Sequence, residues 1–294
     1  MKKRFPLSPR ALKKIKQITI QTRRLLRGTM AGDSRSAQKG TGLEFDQIRE
    51  YQFGDDVRFI DWKASSRLNS LLVKQYIEER CRTILLAVDI SASGIVGSDN
   101  HLKKDILAEI ASVLTLVTTA GRDRVGLILF SSAIELYIPP SRGQEHAHHI
   151  LNALHGFTPT NTTTNISSAL KKLAQHKQRD AICFVISDFI DTNINYKLVG
   201  HVARKHELYA IRCLDTYESQ LNSFGFLPIE DCETGEHAIL DTRSAHNILN
   251  SYLKERVDAQ TQQLKKKGAR IIEVINNQSY MGSLVRFFKR RMQY

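Results

Sequence analysis

The chain has 294 residues, with 43 Lys and Arg against 30 Asp and Glu, which gives a formal net charge of +13. Its 41% hydrophobic and 25% charged residues are ordinary for a folded protein, so the composition excludes a fibrous or wholly disordered chain. The best candidate for a membrane span, residues 110–120, is short and rich in Ser and Thr, so we expect no membrane helix.

The cysteines and the amino terminus predict a cytoplasmic protein. Cationic residues interrupt the apolar ones near the amino terminus, so no secretory signal is expected. Four widely spaced cysteines without a CxxC pair are typical of a reducing compartment; they are Cys81, Cys183, Cys213 and Cys232.

The positive charge is concentrated at the two ends of the chain. Residues 1–40 carry a net charge of +11 and residues 265–294 carry +7, whereas the middle of the chain carries −5. Such cationic segments suit nucleic acid, an anionic membrane surface or an acidic partner protein. A solvated amphipathic helix without a partner is the plainer alternative.

The first eighty residues contain three kinds of segment. Residues 28–42 are polar and small, which predicts a linker, and residues 43–80 are dense in charge and aromatic side chains, with a strand predicted over 71–76. Before them, helical spacing predicts a basic amphipathic helix over residues 8–27, with apolar positions at Leu12, Ile15, Ile18, Ile20 and Leu25.

Beyond Cys81, predicted strands alternate with predicted helices. The apolar run Ile84–Val88 is typical of a strand covered on both faces, and a helix with its core stripe at Ile106–Val117 follows it and closes at Gly121. Further strands are predicted over 124–130, 133–138 (stopped by Pro139 and Pro140), 181–186, 208–214 and 269–275. Further helices are predicted over 143–154, 165–175, 196–205, 244–267 and 280–291, with a turn-rich stretch over 222–242.

This alternation predicts an α/β fold with a doubly wound, mostly parallel sheet, preceded by a basic helical and β extension. Ligands bind such sheets at the carboxyl ends of the strands. At the end of the first apolar strand stand Asp89, Ser91 and Ser93, in the pattern DxSxS. Their hard oxygen donors suit Mg²⁺, although Asp and Ser are also common in turns and helix caps.

Two later segments extend this pattern. Thr162-Thr163-Thr164 precedes a predicted helix, and Ser187-Asp188 ends a predicted buried strand. In this order, the residues resemble the metal-ion-dependent adhesion site of von Willebrand factor type A domains, over residues 82–215. The resemblance implies a Rossmann-like von Willebrand A core.

By that resemblance, Asp89, Ser91 and Ser93 hold Mg²⁺, with Mn²⁺ as the alternative. Thr164 binds the metal directly or through water, and Asp188 acts through a water, which leaves one position for a partner's carboxylate. Four positions depart from the family pattern: Gly94 replaces a Met, Thr162-Thr163 replace two glycines, and Phe189 replaces a Gly.

The segment before the core carries a second signature. Gly42-Leu43-Glu44-Phe45, Arg49-Glu50-Tyr51, Gly54-Asp55-Asp56 and residues 58–63 (RFIDWK), with Arg67 and Val73-Lys74 after them, resemble the bacterial family called domain of unknown function 58. The turn at residues 231–236 (DCETGE) also fits. Members of that family are associated with MoxR-type AAA+ ATPases, which implies an adaptor role beside such an ATPase and its client proteins.

We therefore expect three segments: a basic segment at 1–40, the signature segment at 41–80 packed on the core, and the von Willebrand A-like domain with a carboxy-terminal extension at 81–294. The signature residues predict an ion-pair network anchored by a buried tryptophan, or a partner-binding surface. Those residues are Arg49, Asp55, Asp56, Arg58, Asp61, Trp62 and Arg67.

The sequence-based hypothesis is a non-enzymatic, metal-dependent protein-interaction module that partners a MoxR-type ATPase. No GxGxxG, GxxxxGK[ST] or GxSxG motif is present, so nucleotide binding of the common kinds and α/β-hydrolase chemistry have no support. The first alternative is nucleic-acid binding through the basic ends. The second is a metal-dependent hydrolase that uses Asp89 and Asp188.

Overall fold

The computed structural model of the protein describes residues 12–13, 15–20, 43–78, 82–95, 102–191, 193–214, 225–230 and 235–275. The described residues form two compact units: residues 43–78 make one, and the described residues within 12–20 and 82–275 make the other. The predicted linker at 28–42, the terminal helix at 280–291, Cys81 and most of the 231–236 turn lie outside the described residues.

The amino-terminal helix, α1, is described at residues 12–13 and 15–20. Ile15 and Ile18 are buried, whereas Leu12 and Ile20 are 54% and 44% exposed. The helix is therefore amphipathic, as its spacing predicts, but its buried stripe is narrower than the sequence suggests.

The smaller unit is a two-stranded antiparallel ribbon that carries a short helix. Strands β1 (Leu43–Glu50) and β2 (Leu72–Glu78) form the ribbon, and helix α2 (Trp62–Leu68) lies between them in the chain. Strand β1 was not predicted from the sequence, because a register shift between Phe45 and Gln47 breaks its apolar alternation.

The larger unit is built on a six-stranded sheet, and a separate two-stranded hairpin accompanies it. The hairpin consists of β8 (Phe226–Glu230) and β9 (His237–Asp241), for which the sequence predicted only a turn-rich stretch. The strands of the larger unit are β3 (Thr83–Asp89), β4 (Arg124–Phe130), β5 (Ile134–Ser141), β6 (Ile182–Ser187), β7 (Glu207–Leu214), β8 (Phe226–Glu230), β9 (His237–Asp241) and β10 (Arg270–Ile275). The order in the sheet is β10-β7-β6-β3-β4-β5, and every neighbouring pair is parallel except β4 with β5.

Besides α1, five helices are described in the larger unit. They are α3 (Lys103–Ala120), α4 (Gln144–Gly156), α5 (Ile166–Ala174), α6 (Tyr196–Lys205) and α7 (Thr242–Lys266). Helix α3 packs on α4, whereas α6 packs on both α5 and α7. Because right-handed crossovers that run in opposite directions from a central strand place their helices on opposite faces, these two groups cover the two faces of the sheet. The chain is thus a mixed α/β protein with a central, mostly parallel sheet.

The core lies on both sides of the central strands. Every residue of β3 and of β6 is buried, as the continuous apolar run predicts. Helix α3 is buried around most of its circumference, including the predicted stripe from Ile106 to Val117. The buried hydroxyls of Ser112 and Thr115 donate to carbonyls four residues earlier, Ser112 Oγ to Ala108 O at 2.6 Å and Thr115 Oγ1 to Ala111 O at 2.8 Å, so they are satisfied inside the helix.

The two prolines do not stop β5, which corrects the sequence prediction. Pro139 and Pro140 lie inside the strand, which is the edge strand of the sheet, where a missing N–H group is tolerated. The register with β4 shifts between Val125 and Leu127, so the two prolines lie opposite Gly126. A methyl group on Gly126 would lie 3.0 Å from Pro140 N, so glycine makes the close approach of these strands possible.

Candidate functional site at the carboxyl ends of β3 and β6

Asp89 is the last residue of β3, and its carboxylate is fixed by the loop that follows. Oδ1 accepts a hydrogen bond from the Ser91 backbone N–H at 3.0 Å. Asp89 is only 3% exposed and Ser91 only 4% exposed, because the strand that delivers them is covered on both faces. The carboxylate is therefore held in one orientation inside the molecule.

The second carboxylate follows the adjacent strand. Strands β3 and β6 are parallel neighbours, with Val88 opposite Ile186, so Ser187 and Asp188 end beside Asp89. Ser187 Oγ donates to Asp89 Oδ2 at 2.7 Å, and Asp188 is 5% exposed. The structure therefore brings the predicted Asp89 and Asp188 to one edge of the sheet, with Ser187 as a direct link between them.

The two carboxylates affect each other electrostatically. Burial, and after it the negative charge of Asp188, raise the pKa of Asp89 to about 6, against the opposing effect of the hydrogen bonds from Ser91 and Ser187. A buried carboxylate beside a second one favours either a proton or a cation. The arrangement has the electrostatic character of a cation-binding site.

Ser91 and Ser93 present their hydroxyl groups side by side. Their Oγ atoms are 2.9 Å apart, and Ser93 is partly buried. The glycine that follows, Gly94, packs against the start of α3, where an added Cβ would lie 3.1 Å from Lys104 Cβ. A larger residue at this position, such as the methionine of the family pattern, would need α3 to move.

The predicted threonine loop lies beside the Asp89 loop. The Ala92 N–H donates to Thr162 O at 2.8 Å, and the Asn165 N–H donates to Ser131 O at 2.9 Å. Asn165 then caps α5, its side chain accepting from the Ser168 N–H at 3.3 Å. Thr164 is partly buried in this loop, so it is positioned at the same edge of the sheet as Asp89.

A buried lysine that was not predicted from the sequence lies in the site. Lys103 opens α3, is 0% exposed and places Nζ 3.3 Å from Asp188 Oδ2. A cation at a helix amino terminus opposes the helix dipole, so it is stable there only beside an anion. The pair of lysines that opens α3 was the available sequence signal, but it could not name the anion.

The loop after Asp188 adopts a backbone conformation that side chains rarely take. Phe189 has φ 59°, in the left-handed region, although it replaces the glycine of the family pattern. Its ring is buried beneath the Arg212 guanidinium, at 5.8 Å, and its carbonyl accepts from Gln260 Nε2 of α7 at 2.8 Å. These contacts hold the loop in its strained form.

The predicted signature residues lie in the smaller unit and form separate ion pairs. Arg49 pairs with Asp55 at 2.6 Å and Arg58 with Asp56 at 2.7 Å. Asp61 pairs with Lys74 at 3.2 Å and caps α2, and the hydrogen bond from the Ala64 N–H, with that from Lys74, lowers the pKa of Asp61.

Two signature residues behave differently from the predicted network. Trp62 is 67% exposed, so the expectation that it anchors the segment by burial is wrong. Arg67 is exposed and has no ion-pair partner among the described residues.

Within the described part of the chain, no group of three or more His, Cys, Asp or Glu side chains is placed to hold a metal ion. The candidate site instead combines two carboxylates with hydroxyl groups. None of the described helices has both the length and the apolar character needed to cross a membrane.

Comparison with known proteins places the chain among relatives. It is 25% identical over 287 residues to the uncharacterized protein Rv1480 of Mycobacterium tuberculosis, covering 96% of this chain and 90% of that protein. It is 27% identical over 107 residues to the uncharacterized protein YeaD of Bacillus subtilis, covering 36% of this chain and 25% of YeaD.

Among solved structures, the conserved hypothetical protein BatB of Bacteroides thetaiotaomicron superposes with a TM-score of 0.50 at 15% identity, covering 72% of this chain and all of that one. This likeness concerns the fold alone. The model of the family described as protein of unknown function DUF58 matches residues 47–262, so the chain belongs to that family.

Proposed function

We propose that this protein is a metal-dependent protein-interaction module with a von Willebrand A-type core. The observation that carries the proposal is the pair of buried carboxylates, Asp89 and Asp188, delivered by adjacent parallel strands next to the hydroxyl groups of Ser91 and Ser93. The order of these residues along the chain is the order of the adhesion-site resemblance, which supports the proposal.

The donor set fits a hard divalent cation. Every candidate ligand is an oxygen atom, and Mg²⁺ prefers oxygen ligands and retains several waters, whereas sites for softer metals use His or Cys. Asp89, Ser91, Ser93, Thr164 and Asp188 would hold Mg²⁺ or Mn²⁺. The bound metal would supply a coordination position for an acidic side chain of a partner.

The residues around this donor set have supporting tasks. Ser187 orients the Asp89 carboxylate, and Lys103 offsets the charge of Asp188. The Ala92 to Thr162 hydrogen bond keeps the two ligand-bearing loops together. These groups hold the carboxylates and the ligand-bearing loops in place, so we assign recognition of a partner to the site.

The partner class follows from the family resemblance. We propose that the acidic side chain belongs to a MoxR-type AAA+ ATPase or to its client, with this protein as the adaptor. A metal-mediated contact of this kind makes association conditional on the metal, so chelation releases the partner.

The proposal is tested by calorimetric titration of Mg²⁺ and Mn²⁺ into wild-type protein, Asp89→Asn and Asp180→Asn. Asp180 is an exposed aspartate with φ 60°, a conformation that asparagine also accepts, so its substitution matches the charge change outside the site. We expect saturable binding to wild type and Asp180→Asn, and at least a tenfold loss in Asp89→Asn. Equal binding by all three proteins would remove the metal site.

A second titration uses a purified MoxR-type ATPase in Mg²⁺ and in EDTA. Association that disappears in EDTA and in Asp89→Asn, but not in Asp180→Asn, is the expected result. Association that ignores both changes would place the contact elsewhere on the protein.

Nucleic-acid binding stays the second candidate, because α1 exposes Lys13 and Lys16 opposite its buried Ile15 and Ile18. Most of the cationic ends lie outside the described residues. This function predicts binding that weakens steeply with salt and is unaffected by EDTA. Measuring the affinity for duplex DNA at two salt concentrations, with and without EDTA, separates it from the metal-dependent function.

A further inference from the structure

The smaller unit exposes five large apolar side chains between residues 57 and 71. Between 39% and 69% of each is exposed, although large apolar side chains are usually buried. We define the α2 patch as Val57, Phe59, Trp62, Leu68 and Leu71. Concentrations of exposed apolar surface of this kind mark binding sites on soluble proteins.

The backbone beneath the α2 patch is tied together over its whole length. The Asp61 N–H donates to Leu72 O at 2.8 Å, and Ile60 forms a β-bridge with Val73. The buried Ser65 of α2 accepts from the Leu72 N–H at 2.9 Å, and the Tyr51 N–H donates to Leu71 O at 2.8 Å. The exposed side chains are therefore attached to a folded backbone, so less conformational entropy is lost when a partner binds to them.

Charge distinguishes the α2 patch from an ordinary apolar surface. Lys63 and Arg67 lie four residues apart on α2, so both point from one helix face, and both are exposed. Neither has an ion-pair partner among the described residues, whereas Arg49, Arg58 and Lys74 are each paired with an aspartate. Helix α2 thus carries, besides the apolar side chains of the α2 patch, two cations one helical turn apart that are unpaired within the described residues.

We propose that the α2 patch is a docking site for an acidic amphipathic helix of a partner protein. The apolar face of that helix would cover Trp62 and its neighbours, and acidic residues one turn apart would meet Lys63 and Arg67. Tryptophan and arginine are the side chains most enriched among residues that dominate protein interfaces. Helices that lay an apolar face on a complementary surface are a common recognition mode.

An anionic membrane fits the patch less well than a protein does. Membrane attraction by charge grows with the number of cations, at about 1 kcal/mol for each Lys or Arg near the surface. Among the described residues of α2, only Lys63 and Arg67 supply a cation. The proposal is independent of the metal site, because no residue of the α2 patch belongs to that site.

The chain contains a single tryptophan, Trp62, so its fluorescence reports on the α2 patch alone. The probe is a synthetic amphipathic helical peptide with leucines on one face and glutamates on the other. A comparison peptide carries lysine in place of every glutamate. We expect the glutamate peptide to shift Trp62 emission to shorter wavelength in a saturable way, and the lysine peptide to give at least tenfold weaker binding.

Variants of the protein sharpen the test. The double variant Lys63→Glu/Arg67→Glu is expected to weaken binding of the glutamate peptide about tenfold and to strengthen binding of the lysine peptide. The matched control is Lys177→Glu/Arg179→Glu, which reverses an exposed lysine and arginine between α5 and β6 and should leave both affinities unchanged. Asp89→Asn should bind the glutamate peptide as wild type does, so failure of the metal site and failure of the α2 patch are distinguishable.

Four results would overturn the proposal. The first is that the glutamate peptide causes no emission shift, and the second is that both peptides cause equal shifts. The third is a shift caused by raising the protein concentration alone, and the fourth is a shift that appears only with anionic phosphatidylserine vesicles. The third would assign the patch to a second copy of the chain, and the fourth to a membrane surface.

Discussion

At the scale of single residues, the candidate site is defined by buried charge. Asp89, Lys103 and Asp188 are each at most 5% exposed, and a buried charge is costly unless it is paired. Two acids and one base leave the cluster with excess negative charge when both acids are ionised. That excess is the physical reason to expect both a pH dependence and a cation dependence.

The pH dependence follows from Asp89. Its pKa is about 6 in the folded protein and 3.8 in the unfolded chain, so the folded state binds the additional proton between these values. The resulting stability is present below pH 3.8 and is lost as the pH rises through about 6, by on the order of 3 kcal/mol. We expect wild type in EDTA to lose this amount relative to Asp89→Asn between pH 4 and pH 7.

Urea unfolding of both proteins across this pH range measures the difference. Mg²⁺ should offset the loss in wild type above pH 6, because the metal replaces the proton as the counter-charge. Parallel stability curves for wild type and Asp89→Asn would contradict the assignment of the buried charge to Asp89.

Lys103 should matter more to stability than the other lysine that opens α3. Lys103→Met leaves the Asp188 carboxylate buried without its ammonium partner, and we expect a loss of about 3–5 kcal/mol in the free energy of unfolding. Lys104→Met is the matched control, because Lys104 is exposed, and it should change stability by less than about 0.5 kcal/mol.

The double variant Lys103→Met/Asp188→Asn tests the cause of that loss. Because it removes both charges, much of the stability lost in Lys103→Met should return. Urea unfolding of the three variants in EDTA decides the matter, and a double variant less stable than Lys103→Met would show that the pair is not the reason.

At the scale of elements, the edge of the sheet depends on a close contact. Gly126 of β4 faces the two prolines of β5, and an added Cβ would lie 3.0 Å from Pro140 N and from Leu85 Cδ2. Gly126→Ala therefore forces backbone or core atoms apart, at a cost of about 1–3 kcal/mol.

Gly200 of α6 is the informative comparison. The same added Cβ would meet atoms of Lys267 at ordinary contact distances, the nearest being Cδ at 3.6 Å, and alanine is the better helix former. Gly200→Ala should stabilise the protein by about 0.5–1 kcal/mol. Thermal unfolding of both variants checks the two predictions. Changes in Tm of the same sign would show that the space around each glycine does not decide the effect of alanine.

At the scale of the whole molecule, stability should be distributed unevenly between the two units. Strands β3, β4 and β6 form the buried centre of the six-stranded sheet, whereas the β1–β2 ribbon has only two strands. Exchange of backbone amides requires local opening, which is easier where few apolar contacts must be broken.

Hydrogen–deuterium exchange followed by mass spectrometry should therefore give the slowest exchange in β3, β4 and β6. The β1–β2 ribbon and the β8–β9 hairpin should exchange orders of magnitude faster, because a two-stranded ribbon is marginally stable by itself. Protection of residues 43–78 equal to that of β3 would contradict this distribution.

Much of the α/β alternation could be predicted because its signals are local and periodic. The apolar runs of β3 and β6, the stripe of α3 and the bounds of β4 and α6 follow from the requirement that each element bury an apolar face. The misses have the opposite character. Strand β1 carries a register shift, and β5 continues through two prolines because its outer edge is free.

The residues of the candidate site likewise include some that the sequence predicts and some that it does not. Asp89, Ser91, Ser93, Thr164 and Asp188 could be named from the sequence, because residues that follow parallel strands meet at one edge of a sheet. The roles of Lys103 and Ser187 could not, because pairing with Asp188 and Asp89 depends on contacts between residues 85 and 98 positions apart.

The sequence by itself determined which residues carry oxygen donors, where most strands and helices of the larger unit lie, and which family signature precedes the core. Only the tertiary structure decided that the two carboxylates are buried, that a lysine neutralises one of them, and that Trp62 faces solvent. The physical reason is that burial and charge pairing are properties of distances between segments far apart in the chain. Periodicity, in contrast, is a property of neighbours along it.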